Sequence, residues 1–147
     1  MKTILVPVDF SDVSTRVVET ARRFAAAFGS RIVLLHVAEP EPEFVGFEPG
    51  PVVVRSTVAQ DFRAEHQRLE ELKRHLAAGE GTEIVALQVQ GPTVEKILAE
   101  AKQQQADLIV LGSHGHGALY HLLAGSVAAG VLKSARCPIL VVPSAVQ

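Results

Sequence analysis

An apolar, strand-like run leads directly into a glycine-rich segment in the stretch DLIVLGSHGHGALYHLLAGS, residues 107–126. Its first part, Asp107 to Leu111, is rich in Leu, Ile and Val and hardly alternates with polar residues. This pattern is typical of a strand that is covered on both faces of a sheet. Four glycines follow, and the stretch ends at Gly125-Ser126, immediately before a helical period that opens with Val127. The segment therefore predicts a buried parallel strand that passes through a glycine loop into a helix.

Four further apolar runs share the strand-like character of residues 107–111. They span Thr3 to Val8, Arg31 to Ala38, Glu83 to Val89 and Pro138 to Val142. In the run that begins at Glu83, apolar residues alternate with smaller or polar ones, which is typical of a strand nearer the edge of a sheet.

Helical periods separate these runs. The first, from Val17 to Phe28, has steps of four, three and four residues, and Gly29 follows it where a left-handed C-cap is expected. A second stripe runs from Val58 to Leu76, with Ser56 or Thr57 predicted as its N-cap, and a third opens after Gly91-Pro92.

Strands that alternate with helices predict right-handed crossovers onto one sheet. The expected fold class is therefore α/β, a doubly wound, Rossmann-like parallel sheet of five strands in the order 3-2-1-4-5, with helices on both faces. The 147 residues, 48% of them hydrophobic, are enough for one well-buried domain over residues 1–147. Within it, Glu39 to Arg55 holds four prolines and four glutamates and is expected to form an extended, mobile loop.

Composition and charge exclude several classes of function. The net charge of −2 argues against broad electrostatic binding of nucleic acid or of an anionic membrane. The single cysteine, Cys137, excludes an intrachain disulfide and a multi-cysteine metal site. The first residues lack the apolar run of a signal peptide, and no apolar stretch of 18 residues occurs, so we expect a cytoplasmic protein. The charge is uneven, because residues 1–107 hold all sixteen acids and twelve bases (−4), whereas residues 108–147 hold two bases and no acid (+2).

The expected topology places a ligand site at two loops. In doubly wound sheets, ligands bind beyond the carboxyl ends of the strands where the strand order reverses, here between strands one and four. The loops are Pro7 to Ser11 and Gly112 to Ser126. Glycines let backbone amides approach phosphate oxygens, and a helix N-terminus adds unpaired N–H groups with partial positive charge. Gly125-Ser126-Val127 is therefore a candidate anion site.

Two well-known phosphate loops do not match the glycine segment. After Gly112-x4-Gly117 the chain has Ala118 and Leu119 instead of the Lys-Ser/Thr of a Walker A loop. Tyr120 stands where the dinucleotide fingerprint needs its third glycine.

The spacing Gly112-x2-Gly115-x9-Gly125-Ser126 resembles the signature of the universal stress protein family, in its nucleotide-binding branch. The strand segments that begin at Ile4, Leu34, Asp107 and Cys137 are similar to those of the family as well. The resemblance covers almost the whole chain, except for the proline-rich loop.

This resemblance implies a binding site for ATP, alone or with Mg²⁺. It places residues at the adenine, the ribose and the phosphates, with Asp9 contributing its carboxylate at the adenine. Ser11 is predicted to cap the first helix, which would leave Asp9 for the ligand. In the order adenine, ribose and phosphates, the implied residues are Pro7, Val8, Asp9 and Val37; Leu111 and Gly112; and Gly115, Gly125, Ser126 and Val127.

The sequence departs from the family pattern at three positions near the phosphate loop. His116 and His121 stand where arginine is frequent, and Ala128 stands where a second hydroxyl is frequent. A neutral imidazole is a weaker phosphate donor than a guanidinium, so we expect modest affinity. With His114, the two histidines could raise phosphate affinity as pH falls, which makes His114 a further candidate contact. A metal site at these histidines is not favoured, because His114-x-His116 lacks further ligands nearby.

Three functions remain open at this stage. A phosphorelay receiver is excluded, because the third strand ends Gln88-Val89-Gln90-Gly91 without a phosphoacceptor aspartate. We expect a small stress-response protein that binds an adenine nucleotide and acts as a regulator or interaction module, with no catalytic residue assigned. The alternatives are a slow ATP hydrolase and a dimeric interaction protein of the same fold that binds no nucleotide. A homodimer through the edge strand Pro138 to Val142 is expected from the exposed apolar edge and from the resemblance.

Overall fold

The computed structural model describes residues 1–39, 52–78, 81–113 and 127–144. Strands and helices alternate along these ranges. In chain order they are β1 (Thr3–Pro7), α1 (Asp12–Phe28), β2 (Arg31–Ala38), α2 (Val52–Ala77), β3 (Ile84–Gln90), α3 (Thr93–Gln103), β4 (Leu108–Gly112), α4 (Val127–Ser134) and β5 (Ile139–Val142). Each of these strands begins and ends within one residue of its predicted bounds.

The strands form one parallel sheet in the order β3-β2-β1-β4-β5, which confirms the predicted fold class and strand order. The central strand β1 pairs with β2 on one side, where Ile4 lies opposite Ile32, and with β4 on the other, where Ile4 lies opposite Leu108. The order of strands along the sheet therefore reverses between β1 and β4, at the predicted switch point.

The core consists of two layers, one on each face of the sheet. Alternate residues of β1 enter opposite layers: Ile4 packs with α1 and α2, whereas Leu5 packs with α3 and α4. Both side chains are fully buried. This double coverage is the reason that the central strands are almost entirely apolar.

The ends of the helices match the sequence pattern at one helix and differ from it at another. Gly29 closes α1 with φ of 64°, and its N–H donates to the Ala25 carbonyl, so the predicted left-handed C-cap is confirmed. The N-cap predicted for α2 at Ser56 or Thr57 is wrong, because α2 begins at Val52. No glycine or proline stands between Val52 and Ser56 to interrupt a helix. Of the loop predicted over residues 39–55, residues 52–55 are thus helical, and residues 40–51 lie outside the described ranges.

The two edge strands, β3 and β5, have mostly half-buried side chains, as expected for edge positions. No helix of the described ranges has the length and apolarity needed to cross a lipid bilayer.

Candidate functional site

The loop after β1 and the first residue after β4 lie at the same carboxyl edge of the sheet. Leu5 of β1 lies opposite Ile109 of β4, so the two strands end side by side. Asp9 follows β1 after Val8 and is exposed, while Ser113, the first residue after β4, donates its N–H to the Val142 carbonyl at 2.9 Å. The topology therefore starts the two predicted loops at neighbouring positions, and residues 114–126 of the second loop lie outside the described ranges.

The carboxylate of Asp9 is held against the start of α1. Its Oδ1 accepts hydrogen bonds from the Ser11 N–H at 3.0 Å and from the Ser14 hydroxyl at 3.1 Å. Ser11 occupies the N-cap position, but its side chain makes no capping hydrogen bond, so the predicted capping role of that side chain is wrong. A carboxylate is a stronger acceptor than a hydroxyl and takes the amide of Ser11 itself. The Asp9 carboxylate thus accepts hydrogen bonds at the start of α1, and these bonds fix its orientation.

Val8 is held in place by a buried side chain and by contacts of its backbone N–H and carbonyl. The side chain is buried in the layer of α1 and α2. Its N–H donates to the Leu35 carbonyl at 2.8 Å, and its carbonyl lies 2.9 Å from Nδ1 of His36. Pro7, which ends β1, is half-buried. Contacts of Pro7 and Val8 with a nucleotide stay predictions.

Val37 and Leu111 belong to the opposite layer, with α3 and α4. They lie at the carboxyl ends of β2 and β4, the two strands that flank β1. The predicted adenine-side residues are therefore split between the layers, with the side chain of Val8 on one face of the sheet and that of Val37 on the other. Val37 is half-buried and therefore offers part of an apolar side chain on the α3 side of the sheet.

Gly112 has a packing reason to be a glycine. A Cβ atom at this position would lie 2.7 Å from Cγ1 and 3.3 Å from Cγ2 of Val13 on α1. The first distance is shorter than carbon contacts allow and the second is tight, so α1 can lie this close to β4 only because the side chain is absent. A contact of Gly112 with the ribose stays a prediction beside this packing role.

The start of α4 is the described part of the predicted phosphate site. Val127, its first residue, is exposed, and the first turn of a helix carries unpaired N–H groups and partial positive charge. Ala128, where the family pattern favours a hydroxyl, is buried in the layer of α3 and α4. The other predicted phosphate-side residues lie outside the described ranges: His114, Gly115, His116, His121, Gly125 and Ser126.

Neither a metal site nor a reactive thiol is found among the described residues. No three side chains of His, Cys, Asp or Glu come together there as a metal ion would require. Cys137 is half-buried, and burial raises the pKa of its thiol, which favours the unreactive protonated form.

A cluster of side chains that sequence reasoning missed lies behind the loop after β1. It consists of Phe10, His36 and Glu65, with Arg68 over the ring of Phe10. The signal was present in the sequence, since His36 interrupts the apolar run of β2. A polar side chain in a strand that is buried on both faces needs hydrogen-bond partners.

The comparisons with known proteins agree with this architecture. The family model of the universal stress protein family matches residues 1–143. A universal stress protein of Thermus aquaticus, encoded in the QAH/OAS sulfhydrylase 3′ region, is 36% identical over 143 residues, which are 96% of this chain and 98% of that relative.

Two solved structures are similar over nearly their whole length. The universal stress protein UspA from Lactobacillus plantarum superposes with a TM-score of 0.80 at 22% identity, covering 96% of this chain and 97% of that one. A universal stress protein solved in complex with cAMP gives a TM-score of 0.73 at 25% identity, covering 97% and 96%. Because the family model matches residues 1–143, this chain belongs to the universal stress protein family.

Proposed function

We propose that this protein binds an adenine nucleotide at the switch point between β1 and β4. The observation that carries the proposal is Asp9, an exposed carboxylate fixed in orientation at the carboxyl end of β1, next to the end of β4. A solved neighbour with 25% identity is in complex with cAMP, which supports an adenine nucleotide as the ligand class.

The chemistry of the two loops suits the two ends of a nucleotide. Asp9 would accept a hydrogen bond from the amino group of adenine, and Val37 offers an apolar surface beside it. The start of α4 and the glycines before it would hold phosphate oxygens. Residues 108–147 contain no acid, so no carboxylate of that segment repels an anion bound there. We propose ATP as the physiological nucleotide, bound alone or with Mg²⁺.

The proposed role is that of a regulator or interaction module in a cytoplasmic stress response. Bound nucleotide would set the conformation of the loops and thereby the choice of partner. A homodimer through β5 is part of the proposal, because β5 presents a free, apolar strand edge in the described sheet. A binder is favoured over a hydrolase, since hydrolysis needs groups that orient water and a metal ion, and near the two loops only Asp9, Asp12, Ser113 and the histidines could serve.

The test is the identification of any small molecule that the purified protein releases on denaturation. We expect adenine nucleotide at close to one equivalent per chain. Gly115→Val and Gly125→Val should abolish it while the protein stays folded. Gly81→Val is the matched control, because a Cβ at Gly81 has no atom within 4 Å among the described residues.

Two results together would contradict nucleotide binding: the purified protein releases no nucleotide, and titration with ATP, ADP or AMP gives no heat. The protein would then be the alternative, an interaction protein of the same fold that binds no nucleotide.

A further inference from the structure

We propose that Phe10, His36 and Glu65, here called the loop brace, position the loop after β1 for adenosine without touching the nucleotide. The inference rests on the proposed function and adds the residues that determine how tightly its adenine side binds. The loop in question is Val8 to Ser11, which carries Asp9.

His36 is the centre of the loop brace. It is buried on β2, and both of its ring nitrogens face acceptors. Nδ1 lies 2.9 Å from the carbonyl oxygen of Val8, and Nε2 lies 3.0 Å from Oε2 of Glu65 on α2. The ring therefore joins the first residue of the loop to a helix that is remote in sequence.

The imidazole of His36 bridges two groups that offer acceptor oxygens, the carbonyl of Val8 and the carboxylate of Glu65. A neutral imidazole carries one N–H, and the tautomer determines which nitrogen holds it. The ring thus donates to one of these oxygens and lies in contact with the other.

Further polar side chains from α2 and β3 lie around the contact between His36 and Glu65. Gln88 on β3 donates from Nε2 to the Phe62 carbonyl of α2 at 3.0 Å and approaches Oε2 of Glu65 at 3.5 Å. The Arg68 guanidinium, one turn after Glu65, lies 4.4 Å from the centre of the Phe10 ring.

The backbone of Phe10 adopts a strained conformation that its side-chain contacts stabilise. Its φ is 60°, in the left-handed region that bulky residues rarely adopt and that stores conformational energy. Its ring packs against His36 with 4.6 Å between centroids and lies under Arg68. These contacts hold Phe10 in a backbone conformation that the isolated residue does not favour.

The position of Phe10 links this conformation to the candidate site. It stands between Asp9 and Ser11, the two residues joined by the hydrogen bond from the Ser11 N–H to Oδ1 of Asp9. If Phe10 leaves the left-handed region, the chain direction between them changes and that hydrogen bond is lost. The carboxylate then samples several orientations, and the nucleotide must select one of them at a cost in affinity.

The first arm of the test uses the protein without nucleotide. Glu65→Ala and Phe10→Ala should speed hydrogen exchange at the Ser11 amide while the amides of Leu5 and Ile109 in the core keep their protection. Glu71→Ala, which changes an exposed glutamate on the same helix, is the control and should leave Ser11 unchanged.

The second arm measures the affinity for AMP and for ATP by calorimetry. Glu65→Ala and Phe10→Ala should weaken both nucleotides by the same factor, about tenfold, because both share the adenosine that the loop meets. Glu65→Gln keeps an acceptor for Nε2–H and should restore part of the loss. Glu71→Ala should bind like the unaltered protein.

The outcomes separate the loop brace from the proposed function. Lower melting temperatures with unchanged affinities and unchanged exchange at Ser11 would overturn the loop brace as a positioning device and leave it a structural contact. Unaltered protein that binds neither AMP nor ATP would overturn the proposed function, and with it the role given to the loop brace in binding. Loss of affinity in Glu65→Ala but not in Glu71→Ala, together with faster exchange at Ser11, supports the inference.

Discussion

A Cβ atom placed on Gly112 would lie 2.7 Å from Cγ1 of Val13. This relationship fixes how closely α1 approaches β4, and hence where the loop that bears Asp9 stands relative to the end of β4. Val13 is itself buried, and the next contact of the added atom, with Val17, involves another buried residue of α1. The side chains that face Gly112 therefore have little room to move.

The first prediction concerns this contact. Gly112→Ala should lower the free energy of unfolding by about 1–3 kcal/mol, the usual cost of overpacking a core. Combined with Val13→Ala, which vacates the space, the loss should be clearly smaller than the sum of the single effects. Denaturant unfolding of both single variants and the double variant measures this coupling. Gly81→Ala serves as the control for adding a methyl group, and additive effects at Gly112 and Val13 would contradict the packing role.

The second prediction concerns acid stability at the opposite end of the sheet. The backbone N–H groups of Lys2 and Thr3 donate to Oδ2 of Asp107 at 2.6 and 3.0 Å and hold the pKa of its carboxyl below the ordinary value of 3.8. Because the folded pKa is depressed, the ionised group stabilises the fold above pH 3.8, and this contribution is lost as pH falls through the folded pKa.

Asp107→Asn should therefore be less stable than the unaltered protein at neutral pH. The difference should shrink as the pH falls below the ordinary pKa of aspartate. Unfolding curves over a pH series measure it, and a difference that stays constant down to acid pH would show that the carboxylate charge is not the cause.

The third prediction concerns the edge strand β5. The Ile109 N–H donates to the Pro138 carbonyl and the Ser113 N–H to the Val142 carbonyl. Backbone groups alternate in direction along a parallel ladder, so those of Ile139 and Val141 point away from β4. In the proposed homodimer these outward groups would pair with a second copy of β5.

Val141→Pro should then convert the dimer into a monomer while the ladder to β4 remains, because proline removes only the outward N–H. Val141→Ile keeps the amide and should remain dimeric. Sedimentation equilibrium distinguishes the two states, and a Val141→Pro protein with the mass of a dimer would exclude pairing through this edge.

The fold could be predicted from the sequence because its signals are local and repeated. Every strand that the structure describes has an apolar run, and Gly29 and Gly91-Pro92 mark true boundaries of helices. The start of α2 could not be found in this way, since the apolar period that begins at Val58 in the sequence does not reveal an additional helical turn before it.

The candidate site was predicted only in part, because several roles depend on contacts between distant segments. Nothing local to Asp9 and Ser11 shows that the Asp9 carboxylate accepts from the Ser11 amide while the Ser11 side chain makes no capping hydrogen bond. The need for a glycine at 112 comes from Val13, 99 positions earlier in the numbering of the chain. The partnership of His36 with Glu65 depends on how α2 packs on β2, although a histidine inside an apolar strand already signals that a partner must exist.

The most direct measurement for the proposed function is a calorimetric titration of ATP into three proteins: unaltered, Asp9→Ala and Asp12→Ala. Both variants lose one carboxylate, but only Asp9 lies in the loop between β1 and α1, whereas Asp12 is exposed on the first turn of α1. We predict that the unaltered protein binds close to one nucleotide per chain. The affinity should be lower by a factor of at least about ten in Asp9→Ala and unchanged in Asp12→Ala. Absence of binding to the unaltered protein, or equal affinity in Asp9→Ala, would contradict the assignment of the switch point as an adenine nucleotide site.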